Sequence, residues 1–385
     1  MNGSRPFTVL ACVGASFSVS FQILLPVAPV LLERSGPHGS AGAATAVLFV
    51  GAVGGELLTP WLMSRWNPLL LLITGQLLTA VSSLVFVFPR ASAWQMLAAT
   101  GGRGLGGGIA IVVSVALVAE LATPSRRGSS IGLYGLAITA PGIAFPSIGV
   151  LLLASGRADM AGLIAFFSGL GGALFALRLR PFSLAKSEVA TNLIVAVRIP
   201  SLLALFGGFV LVSCSFGGMV TYAPVALPPD GLGSAAAFLL VSGSSRAVGR
   251  WLSGMLGDHQ PAQLILIGGI GLTAVALVVL ALRGGPLLII MSALAYGAGY
   301  GAVQTGAYLA MTERGSSADW SAISAVWNSA IDLGASLGGL LLGLSAAVSG
   351  YTKAIWIMPA VVLISLPLFL WRPRSIGEIH PAHLS

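Results

Sequence analysis

Long apolar runs, separated by short polar or Gly/Pro-containing breaks, recur along this chain from one end to the other. A helix that crosses a bilayer needs about 20 mostly apolar residues. Twelve runs meet that need: 7–32, 41–63, 68–88, 93–121, 129–153, 159–177, 200–226, 234–256, 262–282, 286–311, 320–345 and 352–371. The runs are continuous, whereas the strands of a membrane barrel alternate polar and apolar residues, so helices are predicted. The first run is longer than a signal-peptide core and has no clear small-residue cleavage site, which makes it a retained span.

Composition agrees with a lipid environment. Only 8% of the 385 residues are charged, 56% are hydrophobic and the mean hydropathy is +0.96. Nineteen basic and eleven acidic side chains cannot coat a water-soluble surface of this size, which excludes a soluble enzyme, a disordered regulator and a secreted disulfide scaffold. The 51 glycines fall largely inside the runs, where they allow close helix packing in lipid. Cys12 and Cys214 lie far apart in apolar runs with no ligand-spaced neighbour, so they read as buried fillers, and neither a metal nor a cofactor is expected. The basic residues behind the net charge of +8 are scattered between runs, a pattern of membrane orientation and not of nucleic-acid binding. An even number of spans puts both termini on one side. With the termini inside, 12 basic residues face the cytoplasm and 5 face outward, as the positive-inside rule asks of a multi-pass cytoplasmic-membrane protein.

The halves of the chain repeat. Pro6 matches Pro200, Ala28-Pro29-Val30 matches Ala223-Pro224-Val225, Ala52-Val53-Gly54 matches Ala247-Val248-Gly249, and Thr79-Ala80-Val81 matches Thr273-Ala274-Val275, all at separations of 194 or 195 residues. A repeat of even span number keeps its orientation in the membrane. The predicted fold is therefore all-α, with twelve transmembrane helices in two pseudo-symmetric six-helix bundles, an arrangement of secondary transporters. Residues 1–178 form the first bundle, 179–199 a basic cytoplasmic linker, 200–371 the second bundle and 372–385 a cytoplasmic tail.

Several motifs resemble the major facilitator superfamily over essentially the whole chain. The segment VGRWLSGMLGDH, with Gly254, Leu256 and Asp258, is similar to the family's loop between the second and third helices of a half, with His259 at the basic position. The first half keeps only Leu62 and Arg65 of that pattern. RGLGGG places Arg103 in the setting of the family's intramembrane arginine. AITAPGIAFPSIGV, with Pro146 and Gly149, resembles the antiporter motif, and WNSAIDLGASLGG is similar to bacterial drug and metabolite exporters. The resemblance implies the major facilitator fold, alternating access, and Arg65, Arg250 and Asp258 as gating-loop residues.

Charges inside hydrocarbon cost about 2.5 to 3.5 kcal/mol each on insertion scales, so each needs a reason. Asp332 falls near the middle of its span and Glu56 deep in the second. Each is a candidate for proton coupling, since removal from water penalises the charged carboxyl. Each also has a static reading, Asp332 as the partner of Arg246 or of a helix end, Glu56 as the partner of Arg250. Arg103 reads as a binder of an anionic substrate or a regulator of a neighbouring carboxylate, or else as a structural group held in a salt bridge or by backbone carbonyls. Tyr296, Tyr300, Gln304 and Tyr308 follow at spacings of four and share one drifting helical face. That face, with Gln22, Tyr222, Arg246 and Asn328, is the candidate lining of a substrate cavity. Gln22, Ser215 and Tyr222 are the weaker candidates, because a lone hydroxyl often bonds its own helix.

The expected function is proton-coupled efflux of a small amphipathic or aromatic compound, by a monomer whose other partners are protons and the bilayer. Proton-coupled uptake of a nutrient is the alternative within the same fold. An intramembrane lipid-modifying enzyme is the remote one, since no acidic cluster or nucleophile motif is present and all four histidines (His38, His259, His380, His383) lie outside the spans.

Overall fold

The structure, a computed structural model, describes residues 4–88, 90–121, 127–179, 200–228, 231, 233–314 and 320–371. The expected linker beyond residue 179 and the expected tail lie outside these residues. The helices are α1 (Ser4–Ile23), α2 (Val27–Ser35), α3 (Ser40–Arg65), α4 (Pro68–Ser83), α5 (Ala93–Leu121), α6 (Arg127–Ala154), α7 (Ala158–Ala176), α8 (Pro200–Ala226), α9 (Ala235–Gly257), α10 (Ala262–Ala281), α11 (Pro286–Thr312), α12 (Trp320–Ser349), α13 (Tyr351–Ala354), α14 (Ile357–Ile364) and α15 (Leu366–Leu370). They form twelve columns: α1 and α2 make the first, α13 to α15 the last. Each half of the chain builds one six-column bundle.

Proline chemistry places the breaks within columns. Pro26 has no amide hydrogen to continue α1, and the Leu25 amide bonds the Gln22 carbonyl at 3.2 Å, one residue short of helical register. Pro367 likewise sits in the first turn of α15, where its missing donor costs nothing. Elsewhere side chains set the starts: Asn67 accepts from the Leu69 amide at 2.8 Å and Ser234 from the Ala237 amide at 3.2 Å.

Eleven columns are long and apolar enough to cross a membrane. The exception is α9, whose Ser242, Ser244, Ser245, Arg246, Arg250 and Ser253 make it too polar to face lipid around its whole circumference. It packs instead against α6, α8 and α11. The outward surface is lined by large apolar side chains such as Trp94, Trp251 and Val348.

Inside each bundle the contacts are built from backbone, and the two bundles use the same positions. A Cβ on Gly104 would land on the Leu48 carbonyl, and one on Gly297 on the Ser242 carbonyl. Gly108 meets the Ala52 carbonyl as Gly301 meets that of Arg246. Gly106 packs on Gly75 and Thr79 as Gly299 packs on Gly269 and Thr273. The glycines are 193 residues apart and their partners 194, so the repeat in the sequence is a repeat of close helix approaches. In lipid, where apolar surface gains little by leaving the solvent, such approaches supply the dispersion contacts that hold helices together.

Candidate functional site

The bundles meet along α3 against α12 and α6 against α9. The distal face holds the α2–α3 and α12–α13 connections; the opposite face holds both ends of the described chain. At the distal face the bundles are sealed. Gly39 and Gly42 of α3 lie against Gly339 and Gly343 of α12, backbone to backbone. Gly39 also has φ 91°, which a side chain would resist. Below them Thr45 and Thr221 hydroxyls lie 2.7 Å apart, Ser336 donates to the Ala46 carbonyl at 3.1 Å, and Ser147 of α6 donates to the Ala236 carbonyl at 2.9 Å. Glu33 closes the rim. Its carboxylate accepts from the amides of Gly39 and Ala41 at 2.9 and 2.8 Å, pairs with His38 at 2.7 Å, and accepts from the Tyr351 hydroxyl of the other bundle at 2.9 Å.

Under this seal lies a narrow cleft of about 50 Å³ between the bundles. Gln22, Leu25, Gly142 and Pro146 line it from the first half; Phe216, Phe238, Ser242, Arg246, Tyr296 and Tyr300 are prominent among those from the second. Four rings form one wall. Phe216 stacks on Tyr300 at 5.8 Å, Tyr300 on Tyr296 at 6.0 Å, and Tyr296 on Phe238 at 6.3 Å. The Arg246 guanidinium lies 5.2 Å above the Phe216 ring.

Toward the other face, Glu56 and Asp332 meet across the bundles. Their carboxyls are close enough to interact with each other, and Ser329 donates to Glu56 at 3.3 Å. Neither acid makes the static pair considered from sequence: among the described residues, no arginine nitrogen lies within 4 Å of either carboxyl. Arg250 instead rests over the Trp327 ring at 5.6 Å, with Arg246 nearby on the same helix.

The remaining candidates separate. Tyr296 and Tyr300 reach the cleft, but the face drifts by about 40° over each four residues and carries the next two away. Gln304 is buried, its carbonyl taking the Trp327 ring N–H at 2.9 Å, and the Tyr308 hydroxyl lies 3.1 Å from that of Ser324. Asn328 is exposed and donates to the Ser324 carbonyl of its own helix at 2.8 Å. Ser215 bonds the Val212 carbonyl at 2.7 Å and lies 3.4 Å from the Tyr296 hydroxyl. Tyr222 borders a different cavity, beside Arg283 at the distal face. Arg65 stacks on Trp61 at 4.4 Å, and Asp258 ends α9 exposed.

Arg103 is fully buried and stands off the cleft lining. It donates to the Phe21 carbonyl at 2.8 Å. That carbonyl is the acceptor which the Leu25 amide would take in an unbroken helix, so Arg103 satisfies the group that the Pro26 break frees.

Sequence reasoning missed Glu33, Ser329, Phe216 and Phe238. The Gly339-x-x-x-Gly343 spacing signalled a close helix approach, and Phe216 follows Phe21 at the repeat separation of 195. Nothing in the local sequence paired Glu33 with Tyr351, 318 residues away.

Comparison with known proteins bears on what this arrangement is. The family model of the Major Facilitator Superfamily matches residues 10–319. No curated protein matches the sequence. Among solved structures, the nucleoside transporter NupG superposes with a TM-score of 0.73 at 11% identity, covering 96% of this chain and 98% of its own. A POT family transporter in complex with 5-aminolevulinic acid gives 0.75 at 12%, with 95% of both chains covered. The xylose transporter XylE from E. coli, in a partially occluded inward open conformation, gives 0.71 at 14%, covering 97% and 98%. At such identities these likenesses establish the shared fold.

Proposed function

The chain belongs to the major facilitator superfamily, and we propose that it is a proton-coupled member that moves a small aromatic or amphipathic compound through the cleft by alternating access. One observation carries the coupling: Glu56 and Asp332 come together across the two bundles that must part and rejoin. Two carboxylates brought together repel, and a proton on one turns the repulsion into a hydrogen bond. A proton held there therefore favours the bundles meeting at this level, and its loss favours their separation. Cargo contact falls to the ring wall and to Gln22, one from each bundle. The excess of basic residues in the terminal-side connections supports a cytoplasmic location for the termini, in the cell membrane, with a single chain forming the passage. The structure, closed at the distal face and joined at the acid pair, is then a state of the cycle in which the bundles are held together on both sides of the cleft.

Export in exchange for protons is the direction supported by the Gly/Pro segment of α6, whose Gly142 and Pro146 border the cleft. Uptake together with protons is the second reading, favoured by Arg246: a cation in the cleft suits a cargo whose charge a proton balances. In proteoliposomes with an imposed pH gradient, Asp332→Asn and Glu56→Gln are each expected to abolish gradient-driven movement of cargo while retaining exchange of cargo at equal pH. Coupled transport unchanged in Asp332→Asn refutes the assignment. Depletion against accumulation in expressing cells separates the two directions.

A further inference from the structure

Arg246 sits midway along α9 with its guanidinium on the cleft lining. Among the described residues no carboxylate oxygen lies within 4 Å of it, and none of the residues lining the cleft is acidic. Arg246 is partly buried, and a cation that gives up part of its water gains from a counter-charge or from acceptors in its place. The Phe216 face gives only a partial substitute. The acids at the bundle interface are turned to each other, with Ser329 donating to Glu56, and neither lies within 4 Å of the Arg246 guanidinium. The other charged group facing this stretch of α9 is Arg250, one turn along and of the same sign, which adds to the positive field. Beside the cation stand rings in near-parallel planes, Phe216 on Tyr300 at 7° and Tyr300 on Tyr296 at 4°. Across the cleft is Gln22, an amide that both donates and accepts.

Resting on the reading of this cleft as the cargo site, we infer that the cargo is an aromatic monocarboxylate: its ring lies against the Phe216–Tyr300–Tyr296 wall and its carboxylate takes the Arg246 guanidinium. A guanidinium and a carboxylate match as a planar two-bond pair, which an ammonium in its place would not reproduce. Arg246 is the one cation among the residues lining the cleft, which calls for one negative charge. Arg246 is then the residue that sets the sign of the cargo, and Gln22 meets a polar substituent at the far edge of the ring.

The test is equilibrium binding to the purified full chain in detergent, by calorimetry and by the shift in Tm. The probes are two series of constant ring and changing charge: indole-3-acetate, indole-3-acetamide and tryptamine, and benzoate, benzamide and benzylamine. In at least one series the carboxylate is expected to bind about tenfold or more tighter than the amide, and the amine weakest. Arg246→Gln is expected to raise the Kd of the carboxylate by about 10- to 100-fold and to leave that of the amide within about threefold. Unchanged amide binding also shows that the variant is folded. Arg246→Lys is expected to restore part of the preference. The inference is overturned if the amine binds as tightly as the carboxylate, if the order survives Arg246→Gln, or if no carboxylate of either series binds. Equilibrium binding needs no gradient. A carboxylate preference combined with gradient-independent transport therefore sinks the coupling assignment alone, and the reverse combination sinks only the anion site.

Discussion

Replacing Gly42 by alanine tests whether the glycine contact holds the distal face shut. The added Cβ would fall on the Gly339 carbonyl and lie 2.6 Å from the Gly343 Cα and 2.9 Å from its amide nitrogen. All three are backbone atoms, so no side chain can swing aside. Restoring ordinary contact requires α3 and α12 to move apart by about 1 Å. Overpacking of this kind costs about 1 to 3 kcal/mol. The penalty applies only while the bundles are closed at this face, so it lowers the ratio of closed to open molecules by about 5- to 150-fold. Thr45, buried directly beneath the seal, reports that ratio. With Cys12 and Cys214 replaced by serine and Thr45 by cysteine, labelling by a membrane-impermeant maleimide from the distal side is expected to accelerate in Gly42→Ala by a factor in that range. Gly54→Ala is the control, because on the same helix its Cβ would meet no heavy atom within 4 Å. Equal labelling in the two variants refutes the glycine seal.

Tyr351→Phe removes the one rim hydrogen bond that Glu33 makes to the opposite bundle, and Thr45 labelling in the same background is expected to rise about tenfold, the worth of a bond to a charged group. Glu33→Gln, which weakens the contacts to the Gly39 and Ala41 amides as well, is expected to raise it at least as far; a slower rate in either variant contradicts the rim as a closing device. Arg103→Ala strands the Phe21 carbonyl at the Pro26 break and is expected to cost about 1 to 3 kcal/mol of stability, seen as a lower Tm in detergent. The folded fraction of that variant is expected to bind the aromatic probes as the parent does, since Arg103 stands off the cleft lining, and lost binding with an unchanged Tm would assign Arg103 to the cargo instead.

What the sequence made legible follows from what lipid demands. A backbone in hydrocarbon must satisfy itself within helices, so apolar length alone located the columns. The run that yields α9 was recognisable despite its two arginines because its flanks remain apolar. The cost of a charge in lipid then pointed to Glu56, Asp332, Arg103 and Arg246 as residues with a role. Their partners were not legible. Asp332 and Arg246 both fall near mid-membrane on their own helices, and only the relative placement of α3, α9 and α12 decides that Asp332 meets Glu56 and not Arg246. The tyrosine face of α11 illustrates the same limit: a spacing of four names a stripe, but the neighbours across it decide where the cleft ends and packing on α12 begins.

The repeat supplies the physical reason for that division of labour. Close approaches at Gly104 and Gly108, and at Gly297 and Gly301, fix the same helix geometry in both bundles and leave the positions between them free to diverge. Arg103 in the first half corresponds to Tyr296 in the second, Gly107 to Tyr300, Ala52 to Arg246 and Glu56 to Arg250. The equivalent phenylalanines, Phe21 and Phe216, each lie under a guanidinium, but in one bundle it belongs to Arg103 and in the other to Arg246. The first half uses its cation to close its own broken helix, and Gly107 leaves room for the Phe21 ring to pack beside it. Without such a break in α8, the second half has no freed carbonyl at the matching level, and its cation and rings face the cleft. A cleft lined this way is asymmetric by construction. On the proposed reading the second bundle carries the groups that distinguish one cargo from another, while the first contributes Glu56, whose meeting with Asp332 would tie the two bundles together when one of the acids holds a proton.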